Sequence, residues 1–193
     1  MTVSAISPAA GSGAVARSQQ TGDGASLPTA EAAALVGQQA AELVLAIRDL
    51  DLAAVRQRIH PVHGVRFSPY SYVNAADIMF DRESFPVEFP ETIREWGVQD
   101  GKGTPIEMPM AEYWDEYVYD RDFVDAPLVS YNHPIGTGNT VNNVAAFFPG
   151  SIRVEYHFPN GPDTLDWKSL RLVFQKHAGE WFLVAAIHDQ WTI

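Results

Sequence analysis

Alternation of apolar and polar residues is strongest at the C-terminal end of the chain. Three consecutive runs there, SIRVEYHF, DWKSLRLVFQK and EWFLVAAIHDQWTI, follow the period of two that marks β-strands. In the first, Ile152, Val154, Tyr156 and Phe158 share one face, and Arg153, Glu155 and His157 share the other. Leu170, Leu172 and Phe174 share a face of the second. The third is apolar on both sides, with Trp181, Leu183, Ala185 and Ile187 on one and Phe182, Val184 and Ala186 on the other. A strand of that kind is covered on both faces. The short link His177-Ala178-Gly179 suits a hairpin, so the block predicts an antiparallel meander.

A different period opens the domain. Val36, Ala40, Leu43, Ile47 and Leu50 recur at spacings of four and three, one stripe of a helix that Thr29 is placed to cap. Asp49 or Asp51 then caps a shorter helix carrying Leu52, Val55 and Ile59, which Pro61 stops. HPVHGVRFSPYSYV predicts a turn and an extended segment, with Pro69 at an edge or bulge, and Asn74 a cap for a helical turn through Ile78 and Phe80. Ile93 to Val98 reads as a short strand returning through Asp100-Gly101-Lys102-Gly103. Pro109 starts a third helix whose apolar face holds Tyr113, Trp114, Tyr117 and Val118, and Leu128 to Tyr131 reads as a strand. HPIGTGNTVNNVAAFFPG is a Gly- and Asn-rich loop running into an apolar stretch of either strand or helix.

Composition narrows the class of protein. Residues 1–28 are rich in Ala, Ser and Gly and read as a flexible tail, leaving 29–193 as one domain. The net charge of −11, with no cluster of Lys or Arg, opposes binding to nucleic acid or to an anionic membrane surface. No cysteine is present, which removes disulfides, thiolate metal sites and thiol nucleophiles. No uninterrupted apolar run reaches the roughly 20 residues of a membrane span. Ala14-Val15-Ala16 has the small-x-small form of a signal cleavage site, but Pro8, Gly11 and Gly13 break the apolar core it needs. A cytoplasmic location is the default expectation, with export the alternative if the true N-terminus differs from Met1.

Two leading helices, a third in the middle and a C-terminal meander together resemble the NTF2-like superfamily, the α+β cone of nuclear transport factor 2, ketosteroid isomerase and the SnoaL-like cyclases. The resemblance spans Thr29 to Ile193. More narrowly, the phrases GVRFSPYSYV, EWGVQDGKGTPI, YNHPIGTGNTVNN and IHDQWTI resemble a group of uncharacterised bacterial proteins that includes exported members. The superfamily implies N-terminal helices packed against a strongly curved antiparallel sheet, with a pocket in the open end of the cone. Its catalytic members use an Asp or His in that pocket as acid or base, and many members have no catalytic role.

Several positions are candidates for that pocket. His188 shares its parity with Phe182, Val184 and Ala186, and a histidine there suits a general base near neutral pH; the alternative is a histidine that anchors the C-terminal segment. Arg153 and His157, with Glu155 between them and Arg171 on the next strand, form a charged floor for a polar ligand if they face the interior. The more consistent core on the opposite face argues that they face solvent as cross-strand ion pairs. Trp114, Tyr131 and Asn139 complete the ligand-binding candidates. His60 and His63 lack a third ligand and a helix to hold them, so no metal is expected, nor any other cofactor. The expected function is binding of a small molecule or a peptide end. Its rivals are a cofactor-independent isomerase, dehydratase or cyclase with His188 or His157 as base, and a structural homodimer built on the last strand.

Overall fold

A computed structural model of the protein describes residue 1, residues 27–162 and residues 164–192. The tail expected over residues 1–28 lies almost wholly outside the described residues. Helix α1, Thr29–Arg48, forms on the predicted stripe and buries Val36, Ala40, Leu43 and Ile47 together with Ala32 and Val44. Thr29 is its first helical residue rather than its cap, and Pro28 occupies the cap position in extended geometry. Leu50 ends the stripe in the left-handed region at φ 55°, which turns the chain sharply enough for Asp51 to cap α2, Leu52–Arg58, by accepting from the Ala54 amide at 2.9 Å. Helix α1 is also long and apolar enough to cross a membrane by length and composition. Its stripe is nonetheless buried in the main core, against the sheet.

The main sheet has six strands in the order β2-β1-β8-β7-β6-β5. These are β1, Val65–Ser68; β2, Met79–Phe80; β5, Leu128–Tyr131; β6, Ile152–Phe158; β7, Lys168–His177; and β8, Glu180–Gln190. The predicted meander is present, as β6, β7 and β8 pair antiparallel in sequence. The expected all-antiparallel, strongly curved cone is not: β1 runs parallel to β8, and the sheet is open and only gently shaped, with β2 and β5 at its edges. The α+β class therefore holds, with a mixed sheet. A separate hairpin joins β3, Arg94–Val98, to β4, Pro105–Met108, and leads into α3, Met110–Tyr117. Asn74 caps no helix; its Oδ1 accepts from the Ala76 amide, an Asx turn that precedes β2.

Strict alternation along β8 fails at one residue. Phe174 pairs with Leu183 but its neighbour Val173 pairs with Ala185, so Val184 is the extra residue of a β-bulge. Beyond it the faces exchange. Leu183, Ala186 and His188 lie toward the helices, while Val184, Ala185, Ile187 and Asp189 lie on the opposite face. The helix-side core packs α1, α2 and α3 with Phe67, Phe85, Trp96, Tyr113 and Trp114, and is filled by side chains. On the other face Val73, Val144, Phe148, Val173, Val184 and Ile187 form a smaller cluster under α4, Val144–Phe147, which resolves the apolar stretch after the Asn-rich loop as one helical turn. Strand β8 lies between β1 and β7 with both faces covered, so its double apolarity is satisfied within the chain.

Gly64 carries the turn into β1 at φ 65°, and a Cβ there would stand 2.4 Å from the Phe80 carbonyl oxygen. We expect Gly64→Ala to cost about 2 kcal/mol or more, combining left-handed strain with that clash, seen as a lower urea midpoint at unchanged m.

Candidate functional site

Glu155 and His157 of β6 and Ser169 and Arg171 of β7 face neither a cone interior nor solvent. They are roofed by residues 71–73 and the loop from Asn132 to α4. Period-two alternation sends Glu155 and Arg171 to this face, and pairing in register sets them side by side. Both are 2% exposed. Arg171 Nε donates to Glu155 Oε2 at 2.9 Å, and its Nη1 lies 2.7 Å from Asp189 Oδ2 on β8. The guanidinium also donates to Ser71 Oγ and to the Gly136 carbonyl, so one side chain ties both covering segments to the sheet. Glu155 accepts in addition from the Ile135 and Gly136 amides at 3.0 and 2.8 Å, and from Ser169 Oγ at 2.7 Å. Burial alone would push its carboxyl up; the Arg171 charge and these donors outweigh it and hold the group below its usual range. His157 Nδ1 lies 2.8 Å from Ser169 Oγ, and burial shifts the ring toward its neutral form.

A cavity of about 230 Å³ opens onto this cluster, lined by Asn132, Pro134, Val144, Arg153, Glu155 and Arg171 among others. The structure thus brings Arg153 and Arg171 to one cavity, with His157 joined to Arg171 through Ser169 and Glu155. Other candidates lie elsewhere. Trp114 is in the helix-side core and donates to the Ile47 carbonyl at 3.2 Å. Tyr131 ends the edge strand β5 and packs toward Gly37 of α1. Asn139 Nδ2 donates to the Thr192 carbonyl at 2.7 Å, pinning the loop to the C-terminal segment. His188 is 0% exposed, on the helix side of the sheet; its Nε2 lies 3.0 Å from Asp120 Oδ2 and its Nδ1 3.3 Å from the Pro69 carbonyl. Asp120 also meets Lys168 Nζ at 2.8 Å. His60 stacks on His63 and accepts from the Val62 and His63 amides, and burial lowers its pKa to about 4. No group of three or more potential metal ligands occurs among the described residues.

A larger cleft, about 540 Å³, lies between residues 69–77 and the β3–β4 hairpin. Pro69, Tyr70, Tyr72 and Asp77 line one wall, and Glu95, Gly97, Val98 and Asp100 line the other. The hairpin is anchored beside it by Asp100, whose Oδ2 accepts from the hydroxyls of Thr140 and Thr192, each at 2.6 Å; those two bonds lower the Asp100 pKa. On the facing wall Asp77 Oδ2 accepts from Ser68 Oγ at 2.7 Å and from the Asn74 amide at 2.9 Å. Single-residue reasoning missed these cleft residues, because no periodicity marks a loop. The walls come from stretches far apart in sequence, 69–77 and 95–103, with Thr140 from a third and Thr192 holding Asp100 from a fourth.

No family model, curated protein or solved structure matches this chain.

Two outcomes follow from the buried charges. Arg171→Ala strands Glu155 and Asp189 in the interior and is expected to cost about 3–5 kcal/mol in urea denaturation. Glu155 and Asp120 both have folded pKa values held below the ordinary 4.5 and 3.8, in each case against the upward push of burial. The folded chain therefore binds fewer protons than the unfolded chain as these groups titrate. Their stabilisation is complete above those ordinary values and is lost as pH falls through the folded ones. The urea midpoint is expected to fall gradually below about pH 6.5, where buried His60 and His157 resist protonation, and more steeply below about pH 4.5, with the steep part shallower in Glu155→Gln.

Proposed function

We propose that the chain binds a small organic molecule in the cleft between residues 69–77 and the β3–β4 hairpin, on an NTF2-like scaffold. The observation that carries the reading is one cleft of about 540 Å³ between two separately anchored walls, residues 69–77 and the β3–β4 hairpin. That volume lies within the range of small-molecule sites. Its lining mixes two tyrosine rings with a few polar groups, the composition that orients a ligand while burying most of it. Two leading helices, a third helix and the meander support the NTF2-like reading, in a version whose helix-side interior is packed and whose hollow lies beside β1. A catalytic role for His188 or His157 has less support. His188 is enclosed between Asp120 and Pro69, and His157 is buried against Ser169 and Trp167.

Fragment screening by amide NMR tests the assignment. Shifts are expected to cluster at Tyr70, Tyr72, Asp77, Gly97 and Thr140. Ala76, exposed at the rim, offers a way to fill the cleft without disturbing the core. Ala76→Trp is expected to weaken hits at least ten-fold while changing stability by no more than about 0.5 kcal/mol. Hits that cluster on another surface, or that ignore Ala76→Trp, would remove the proposal.

A further inference from the structure

We propose that the ligand of this cleft is an organic cation, an amine or quaternary ammonium group carried on an apolar body; the inference rests on reading the cleft as the binding site. Three carboxylates line it, those of Asp77, Glu95 and Asp100, and no Lys or Arg is among the described residues that do. Asp77 is the central one. It is 8% exposed, and its Oδ2 is saturated by Ser68 and Asn74. Its Oδ1 meets no hydrogen-bond donor among the described residues and stands 4.0 Å from the position a Cβ would take on Gly97, in the opposite wall. A carboxylate oxygen that opens onto the cleft with no protein donor is free to accept from a ligand, and an ammonium group supplies the donor with opposite charge. Arg66, whose charge reaches Asp77, does not line the cleft and donates to the carbonyls of Asn74, Ala75 and Asp77, with its guanidinium over the Phe147 ring.

The second wall agrees. Glu95 stands directly opposite Glu107 in the hairpin register, a like-charge pair that costs stability until a cation sits beside it. The register shifts between Glu95 and Val98, and Gly97 within that stretch has φ 135°, a backbone open to glycine. A side chain there would press on Pro69 and close the approach to Asp77. Tyr70 and Tyr72 add aromatic surface, the usual partner of an ammonium group. The volume exceeds what a bare metal ion needs, and the described residues offer no set of three metal-ligating groups.

The test is a titration, by amide NMR and calorimetry, with three probes of one shape: 4-phenylbutylamine, 4-phenylbutanol and 4-phenylbutyrate. The amine is expected to shift Tyr70, Asp77, Gly97 and Thr140 and to bind at least ten-fold more tightly than the alcohol, with the carboxylate weakest and the preference shrinking as salt rises. Asp77→Asn keeps an oxygen for Ser68 and Asn74, so it should fold, and it is expected to reduce the amine preference at least five-fold. Equal binding of the alcohol or the carboxylate at the same residues overturns the cationic assignment while leaving the cleft as a site. An amine preference that persists unchanged in Asp77→Asn overturns the role of Asp77. Failure of all three probes to perturb the cleft overturns the inference, and fragment hits mapping elsewhere overturn the site itself.

Discussion

The covering of the second sheet face depends on the charge of Arg171. Its guanidinium is buried with two carboxylates, Glu155 and Asp189, and every other contact it makes reaches out of the sheet, to Ser71 and to Gly136. Desolvating three charges costs several kcal/mol for each, and the attraction between them about offsets that cost. The cluster therefore acts chiefly on which structure forms. Any packing of residues 71–73 or 132–148 that leaves this side chain short of acceptors is penalised by an unpaired buried charge. Apolar contacts of Val73, Val144 and Phe148 then seal the layer, but on their own they would tolerate many arrangements.

The cleft is a consequence of the same constraint. Residues 69–77 are held from beneath by Arg171 through Ser71, by the Ser68–Asp77 bond, and by the Pro69 carbonyl against His188. Having been fixed there, they cannot fold down onto the β3–β4 hairpin. The hairpin is fixed independently, through Trp96 in the core and through Asp100 on Thr140 and Thr192. Two separately anchored walls, one of them presenting Gly97 where a side chain would reach Pro69, leave a hollow that neither can close. Preorganisation of this kind lowers the ordering cost of binding.

Parts of the site were legible in the residues and parts were not, for one reason in each case. Alternation along β6 put Arg153, Glu155 and His157 on one face, and that grouping is present; whether the face met water or protein depended on the preceding loop and on residues 71–73, far back in the chain. Counting by twos along β8 assigned His188 the company of Phe182 and Val184, and the bulge at Val184 undid it by advancing the phase one residue. His188 thus came to lie under Tyr117 beside Asp120, and Asp189 came to lie beside Arg171. The tyrosines and carboxylates of the cleft sit in irregular backbone, where no period connects a residue to its direction.

The chain by itself determined its local elements: the two leading helices, the third helix after Pro109, the C-terminal meander and hence the α+β class. Those depend on neighbours within a few residues, whose burial pattern is written in the order of the letters. Tertiary structure alone decided the parallel pairing of β1 with β8, the phase shift at Val184, the roof over the charged face and the walls of the cleft. Each of these joins residues far apart in sequence, as Arg171 meets Ser71 and Asp100 meets Thr192. Such partners are chosen by the competition to satisfy buried charge and hydrogen bonds across the whole molecule, which no local periodicity encodes.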